Sequence, residues 1–252
     1  MERQPLYLEL ETLGNYFKEK ESNVSLILDS KLWTILRVDG HSFSKFTRRF
    51  KSKCDERMIK AMCEATSDWM KQWNGTTGYT QSDEAMICIP PSSQLPFNGR
   101  VSKIISLSAS FFSVRFNFHL PQEFVGTAHF DCRALQVEEK DLYKVFYWRQ
   151  LDCFRNGASV LARESENKKS DIEACNTKKK IEIIKADEKL VNSDPHLLHG
   201  TFLKRMLYTI KPKQEGDEVT RQKIIFIKPD LKETVIKKYS DSFISSKNLL
   251  PE

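Results

Sequence analysis

The sequence predicts an α+β fold, an antiparallel sheet with helices packed on it. Two observations carry the prediction. Leu32-Trp33-Thr34-Ile35-Leu36-Arg37-Val38 and Ala85-Met86-Ile87-Cys88-Ile89 are apolar, β-branched runs of strand length. The stretches between and beyond them place apolar residues at helical spacing. The resulting order is helix, strand, helix, hairpin, helix, strand, helix, and a sheet with helices on one face is its simplest solution.

Leu6, Leu10, Leu13 and Phe17 form one stripe of an amphipathic helix over 5–21, and a loop spans 22–31. The first strand, 32–38, runs into Asp39-Gly40. An acid at the end of a buried strand sets a carboxylate at the rim of a sheet. The glycine after it lets a ligand approach the backbone closely. A short basic segment follows, from Lys45 to Lys53. Asp55 is placed to cap the next helix, whose apolar face is Ile59, Met62, Cys63, Thr66, Trp69, Met70 and Trp73, and Asn74-Gly75 closes it.

Gly78-Tyr79-Thr80-Gln81-Ser82-Asp83-Glu84 reads as a hairpin with Ser-Asp-Glu at its bend, and Pro90-Pro91 stops the strand that leaves it. Residues 99–117 fit a buried helix lined with small residues. Residues 128–137 alternate as a strand does, and 138–162 fit another helix. On that helix Leu142, Val145, Phe146, Arg149, Asp152 and Asn156 fall near one stripe, apolar at one end and polar at the other. From Glu164 to Pro195 the composition turns charged and polar, which predicts an irregular or partly helical surface excursion. Order resumes at His199-Gly200-Thr201, and Lys223–Ile227 is a last strand. Strands and helices in this order suit the ferredoxin or polymerase-palm kind of α+β fold.

With 252 residues, 40% of them hydrophobic, the chain builds one large domain or a domain with an appendage. No apolar run approaches the ~20 residues of a membrane span. The opening Met1-Glu2-Arg3-Gln4-Pro5 looks like neither a secretory signal nor a mitochondrial presequence. Six cysteines without a C-x-x-C pair point to reduced thiols in an intracellular protein and away from a zinc site, and a cytoplasmic setting is expected ahead of a mitochondrial one. The net charge of +6 is unevenly spread: residues 37–60 hold eight Lys/Arg against three Asp/Glu, and residues 202–238 hold ten against five. Two basic segments on a near-neutral remainder suit a polyanionic partner such as RNA or a triphosphate.

If the first strand and the hairpin are neighbours, Asp39 and Asp83 meet at one rim. Two converging carboxylates are what a pair of magnesium ions needs for nucleotidyl transfer. Either acid alone is as readily an ordinary turn residue. Glu84 points away from Asp83 in an extended chain and makes a poor third ligand. Lys45, Arg48, Arg49, Lys51 and Lys53 follow the first acid, where a triphosphate needs counter-charge. Asp131 and Arg133 share one face of their strand, as site residues or as an ion pair. Asp152 and Asn156, four apart on a helix, either reach a nucleotide or bond to each other. Trp148 beside Arg149 sets a large aromatic against a cation, as a site feature or as packing alone, and His196 and His199 lack a set of metal partners.

These motifs, in this order, resemble those of the tRNA-histidine guanylyltransferase superfamily. Arg37-Val38-Asp39-Gly40-His41-Ser42-Phe43-Ser44-Lys45-Phe46 is similar to its D-G-R-x-F signature, with His41 where the usual arginine stands. Gln81-Ser82-Asp83-Glu84 is similar to its Q-S-D-E motif. Phe130-Asp131-Cys132-Arg133 and Trp148-Arg149-Gln150-Leu151-Asp152 with Asn156 match its F-D-x-R and W-R-Q-x-D-x-x-x-N patterns. His199-Gly200-Thr201 with Lys204 looks like its glycine-threonine-lysine element, and Leu13–Lys18 resembles its N-terminal helix. The likeness spans about residues 13–205.

The resemblance implies a palm-like fold and a single catalytic domain over 1–252. The palm core then takes up about 24–162, the charged excursion about 164–195, and a basic C-terminal part 196–252. It implies addition of nucleotides to the 5′ end of tRNA in the 3′-5′ direction, by attack of the 3′-hydroxyl of an incoming nucleoside triphosphate. ATP or GTP first activates a 5′-monophosphate end. By position, Asp39 and Asp83 are the implied catalytic residues, holding two magnesium ions with help from the Gly40 carbonyl. Gly40, His41, Ser42, Phe43, Lys45, Lys51, Lys53, Ser82, Asp131, Arg133, Asp152 and Asn156 are the implied nucleotide contacts, with one of Lys51 or Lys53 on triphosphate. Arg48, Arg49, Lys204 and Arg205 are assigned to tRNA. Homotetramers are usual in the family.

After Asp152 the chain reads Cys153-Phe154-Arg155-Asn156-Gly157-Ala158-Ser159, where the histidine-tRNA enzymes carry a H-I-N-N-L-Y-N-like run. Its loss resembles the family's guanylyltransferase-like branch, which repairs 5′-truncated tRNAs by templated addition. The alternatives are addition of the extra 5′ G to histidine tRNA, a nucleotide cyclase, or a catalytically silent RNA-binding protein. Two basic segments count against a cyclase. The paired acids count against a silent protein, because without a metal they repel and disturb each other's pKa values.

Overall fold

An opening helix, α1 (Leu6–Ser22), precedes the sheet and leaves Leu13, Tyr16 and Phe17 exposed. In the computed structural model, which describes residues 6–23, 25–50, 55–126, 128–163, 169–186, 195–210 and 219–227, β1 (Trp33–Gly40) lies inside that sheet. It pairs antiparallel with β3 (Glu84–Ile89) on one side and β4 (Phe130–Val137) on the other. β2 (Thr77–Gln81), β5 (Thr201–Ile210) and β6 (Val219–Ile227) complete the order β4-β1-β3-β2-β5-β6. The one-turn α2 (Phe43–Phe46) follows β1, α3 (Glu56–Gln72) joins β1 to β2, and α4 (Val101–His119) joins β3 to β4. The first four strands with α3 and α4 therefore form the β-α-β-β-α-β unit of a ferredoxin-like sheet.

Alternation along β1 divides the core in two. Leu36 and Val38 face α3 and α4, in a cluster with Ile87, Met62, Trp69, Phe112 and Phe116. Ile35 faces the other way and, with Trp33, Tyr79, Met86 and Phe202, meets Leu142 and Phe146 of α5 (Leu142–Arg163). Helices thus cover both faces of the sheet, whereas the sequence predicts one. A sheet whose strands are apolar on both sides needs two covers.

Local signals place most boundaries. The Asp55 carboxylate accepts the Arg57 backbone N–H at 3.0 Å and caps α3, and Asn74, at φ 54°, turns the chain after it. The excursion after α5 is helical where it is described. Ile172 of α6 (Lys169–Ala174) and Ile184 of α7 (Thr177–Ala186) pack on Ala158, Leu161 and Ala162 of α5. A further turn, α8 (Pro195–His199), enters β5 through Gly200, at φ 70°. There a Cβ would stand 2.5 Å from the Tyr79 hydroxyl, so only glycine fits.

Candidate active site at the rim of the central strands

β1 ends at Asp39-Gly40, and the two-residue β2–β3 turn brings Ser82-Asp83 beside it. The Gly40 N–H donates to the Asp83 carbonyl at 3.1 Å. Ser82 holds a left-handed φ of 47°, which makes the tight turn. Asp39 stands in register with Glu84 on one neighbour and with Asp131 on the other. Asp39 and Asp83 open onto a cleft of about 220 Å³ shared with Arg37, Arg133, Arg149 and Asn156.

The other acids at this rim have arginine partners. Glu84 accepts Arg149 Nε at 2.7 Å and Arg37 Nη1 at 3.2 Å. Asp152 accepts Arg149 Nη2 at 2.8 Å and also pairs with Arg155. Asp131 accepts Arg133 Nη2 at 3.1 Å. Asp39 and Asp83 make no ion pair with a described residue. Burial pushes the Asp83 carboxyl above the usual carboxylate range; the Ser82 hydroxyl opposes this and the Asp39 charge adds to it. Two hard-oxygen ligands on one cleft, with no ion-pair partner among the described residues, fit magnesium, which takes one or two carboxylates and keeps its waters. No group of three or more His, Cys, Asp or Glu that could hold a metal ion occurs among the described residues. An ion here would draw on two carboxylates, backbone oxygen and water.

The remaining sequence-predicted residues divide. Ser82 and Asn156 line the cleft with the acids, and so do Arg133 and Asp152. The Asn156 amide donates to Asp152 at 3.4 Å, the mutual bond that the helical spacing allows. His41 is exposed and stacks on His129, ring centroids 5.1 Å apart. Ser42, Lys45, Arg48 and Arg49 are exposed along α2 and the turn after it, with Arg49 Nη2 donating to the Glu123 carbonyl at 3.2 Å. Lys51 and Lys53 lie outside the described residues.

Two expectations need correction. Phe43 is buried among Phe46, Phe116 and Phe130, so its ring belongs to the core and not against a nucleotide. That packing is what demands Gly40, where a Cβ would lie 2.3 Å from Phe43 Cδ2. Lys204 and Arg205, assigned to tRNA, are 0% and 2% exposed. Lys204 Nζ donates to Thr77 Oγ1 at 2.9 Å, and Arg205 Nε donates to the Gly75 carbonyl at 2.7 Å. β5 is an interior strand between β2 and β6, which places both cations beyond the reach of a polyanion.

Burial lowers Lys204 from 10.5 to about 7. Between those values the unfolded lysine holds a proton that the folded one does not, so stability rises with pH. Lys204→Met should raise the melting temperature at pH 7 and flatten its rise between pH 7 and 9. A pH dependence unchanged in the variant would place the titration elsewhere.

Arg37, Gln81 and Arg149 enter the cleft without having been predicted as site residues. Arg37 was open to detection, since it lies two residues before Asp39 and shares its face of the strand. Gln81 was visible as the first residue of the Q-S-D-E run, but its partner was not, because its Nε2 donates to the Arg149 carbonyl, at 3.3 Å, across a separation of 68 residues.

A ferredoxin-like sheet with two acids at the end of its central strands, unpaired with any described cation, is a palm-type arrangement. The family model described as Thg1: tRNAHis guanylyltransferase matches residues 14–138. The chain belongs to the tRNAHis guanylyltransferase (Thg1) superfamily. An uncharacterized protein of Acanthamoeba polyphaga mimivirus is 29% identical over 92% of this chain and 90% of its own. The tRNA(His) guanylyltransferases of Debaryomyces hansenii and Schizosaccharomyces pombe are each 31% identical, over 61% and 56% of this chain. The chain matches 65% and 56% of their lengths, less than two thirds of either. A bacterial tRNA(HIS) guanylyltransferase (Thg1)-like protein in complex with ATP superimposes with a TM-score of 0.71 at 22% identity, covering 93% of this chain and 100% of that one. The Saccharomyces cerevisiae tRNA(His) guanylyltransferase gives 0.63 at 18%, covering 74% and 91%. These two likenesses are of fold. No described helix is long and apolar enough to cross a membrane.

Proposed function

We propose that the chain is a 3′-5′ nucleotidyltransferase that adds nucleotides to the 5′ end of tRNA, by templated repair of 5′-truncated tRNA. One observation carries the reading: Asp39 and Asp83 share a cleft in which the other acids, but not these two, are neutralised by arginine. Asp39, Asp83 and the Gly40 carbonyl would hold two magnesium ions, which supply charge neutralisation for a triphosphate and an attacking 3′-hydroxyl. Ser82 and Asn156 offer donors to phosphate oxygens from the same cleft, and Arg37 and Arg133 offer positive charge. Asp152 is held by Arg149 and Arg155 and serves to orient Asn156. His41, Ser42, Lys45, Arg48 and Arg49 extend a polar and basic edge for ATP, GTP or RNA.

The repair branch rests on the run after Asp152. Gly157 stands where the histidine-tRNA enzymes' run carries leucine, and a Cβ here would fall 2.1 Å from the Leu197 carbonyl oxygen. The α8 backbone closes on α5 at a place that such a leucine would hold open. A homotetramer is supported by Leu107, Val114 and Phe118, apolar and exposed on α4. An intracellular setting is supported by six scattered cysteines with no C-x-x-C pair.

The test uses a tRNA lacking its first 5′ nucleotide and carrying a labelled 5′-monophosphate, with magnesium, ATP and all four nucleoside triphosphates. The opposing 3′-side base is varied. Addition of the one complementary nucleotide is the expected result. Addition of G alone, and only to full-length histidine tRNA, returns the chain to the guanylyltransferase role. No extension, even from a 5′-triphosphate end, overturns the reading.

A further inference from the structure

Beside the carboxylate cleft lies a larger one of about 400 Å³, between the start of α3, the β2–β3 turn, α5 and α8. Gln81, Ser82 and Asn156 line both, so the two adjoin. Met58, Ile59 and Val160 give the larger cleft an apolar floor. Its rim is polar. Asn156, Ser159 and Arg163 follow one another along α5 at helical spacing, on the stripe that begins with Asp152 at the acids. At 1.5 Å per residue, Arg163 lies ~10 Å beyond Asn156.

A second cation reaches this rim from the excursion. Lys180 Nζ of α7 donates to Ser159 Oγ at 3.2 Å, while Ile184 anchors α7 on α5. The acidic partner of Arg163 among the described residues is Glu173 at 3.9 Å, a surface pair too weak to spend its charge. Lys178, Lys179 and Lys185 are exposed on the same short helix.

An apolar floor beside a cationic rim suits a nucleotide, with its base on the floor and phosphate at the rim. That chemistry has two sources, a free nucleoside triphosphate or the end of an RNA strand. Position decides between them. A mononucleotide whose phosphates meet Ser82 and Asn156 ends within the cleft and leaves Arg163 and Lys180 without a phosphate. A strand continues past them.

We propose that this cleft seats the 5′-terminal nucleotide of the RNA, and that the strand leaves along Arg163 and Lys180 onto α7. The inference rests on the 5′-end reading above. It gives α6 and α7 a role, that of holding a phosphate-binding rail against α5.

The experiment compares wild type with the double variant Arg163→Ala/Lys180→Ala. Binding of an RNA hairpin with a single-stranded, 5′-triphosphorylated overhang and of GTP alone is titrated across a salt series with magnesium present. Removing two phosphate contacts should weaken RNA binding at least ~10-fold and make log K against log salt shallower by ~1.4 for a single strand. GTP binding should be unchanged, and Arg163→Lys/Lys180→Arg should restore the RNA affinity. Unchanged RNA affinity and slope in the alanine variant overturn the proposal, as does a loss confined to GTP. Matching thermal melts show that the variant is folded. If wild type binds the hairpin but never extends a 5′ end, only the proposed reaction fails; if it binds no RNA, both readings fail.

Discussion

Asp83→Asn is expected to cut nucleotide addition by more than the ~100-fold that loss of a supporting group costs at a metal site, while raising the melting temperature of the metal-free protein. Both effects have one origin. The Asp83 carboxyl is desolvated and shares its cleft with Asp39, so its pKa is raised in the folded state. A carboxyl with a raised folded pKa contributes stability that is fully present below the unfolded value, ~3.9. That stability is lost as pH climbs through the folded value. At pH 7 the charged Asp83 is therefore a net cost to the metal-free fold. The neutral amide removes that cost, so the metal-free variant should melt higher than wild type. Magnesium should raise the melting temperature of wild type at pH 7, less so at lower pH where protons compete for Asp83, and leave the variant unmoved. A variant that keeps its activity would remove Asp83 from the metal site. One that melts lower in the absence of metal would show that the carboxylate is already neutralised.

Arg149→Ala should be the most destabilising single change at the site. The Arg149 and Glu84 side chains are 9% and 8% exposed, and Arg149 also holds Asp152. Its removal leaves Glu84 buried with Arg37 alone, at 3.2 Å. Breaking a buried pair from one side costs about 3–5 kcal/mol, which at 2–4 °C per kcal/mol is a fall of roughly 10 °C. The loss should be readable in urea as a lower midpoint with an unchanged slope. Glu84→Gln/Arg149→Met should recover much of it, because no charge is then stranded. Activity should not return in step, since Asp152 and Asn156 would still lack the arginine that orients them. If the single variant melts within a degree or two of wild type, the network is not the tie between sheet and α5 that its geometry describes.

Much of this protein was legible without coordinates, for a local reason. The Leu32–Val38 run, the Asp39-Gly40 turn, the Asp55 cap and the Ser82-Asp83 bend each depend on a few adjacent residues, whose propensities act in the unfolded chain as they do in the folded one. β1, α3 and the hairpin accordingly appear where the sequence puts them. The convergence of Asp39 with Asp83 needed one further assumption, that β1 and β3 are neighbours, and their register supplies it.

What only the tertiary structure decided concerns partners distant in the chain. Lys204 and Arg205 read as surface cations beside other lysines, yet Lys204 meets Thr77 across 127 residues and is sealed between two strands. Arg37 and Arg149 reach Glu84 across 47 and 65 residues, and so leave Asp39 and Asp83 as the acids of the cleft without a counter-charge among the described residues. The second cover of the sheet, the adjacency of the two clefts and the seating of α7 on α5 are of the same kind. Local sequence sets which residues are apolar, charged or turn-forming. Whether a given charge is buried, paired or left open to a ligand is set by which strand lies beside it, and that is a property of the assembled sheet.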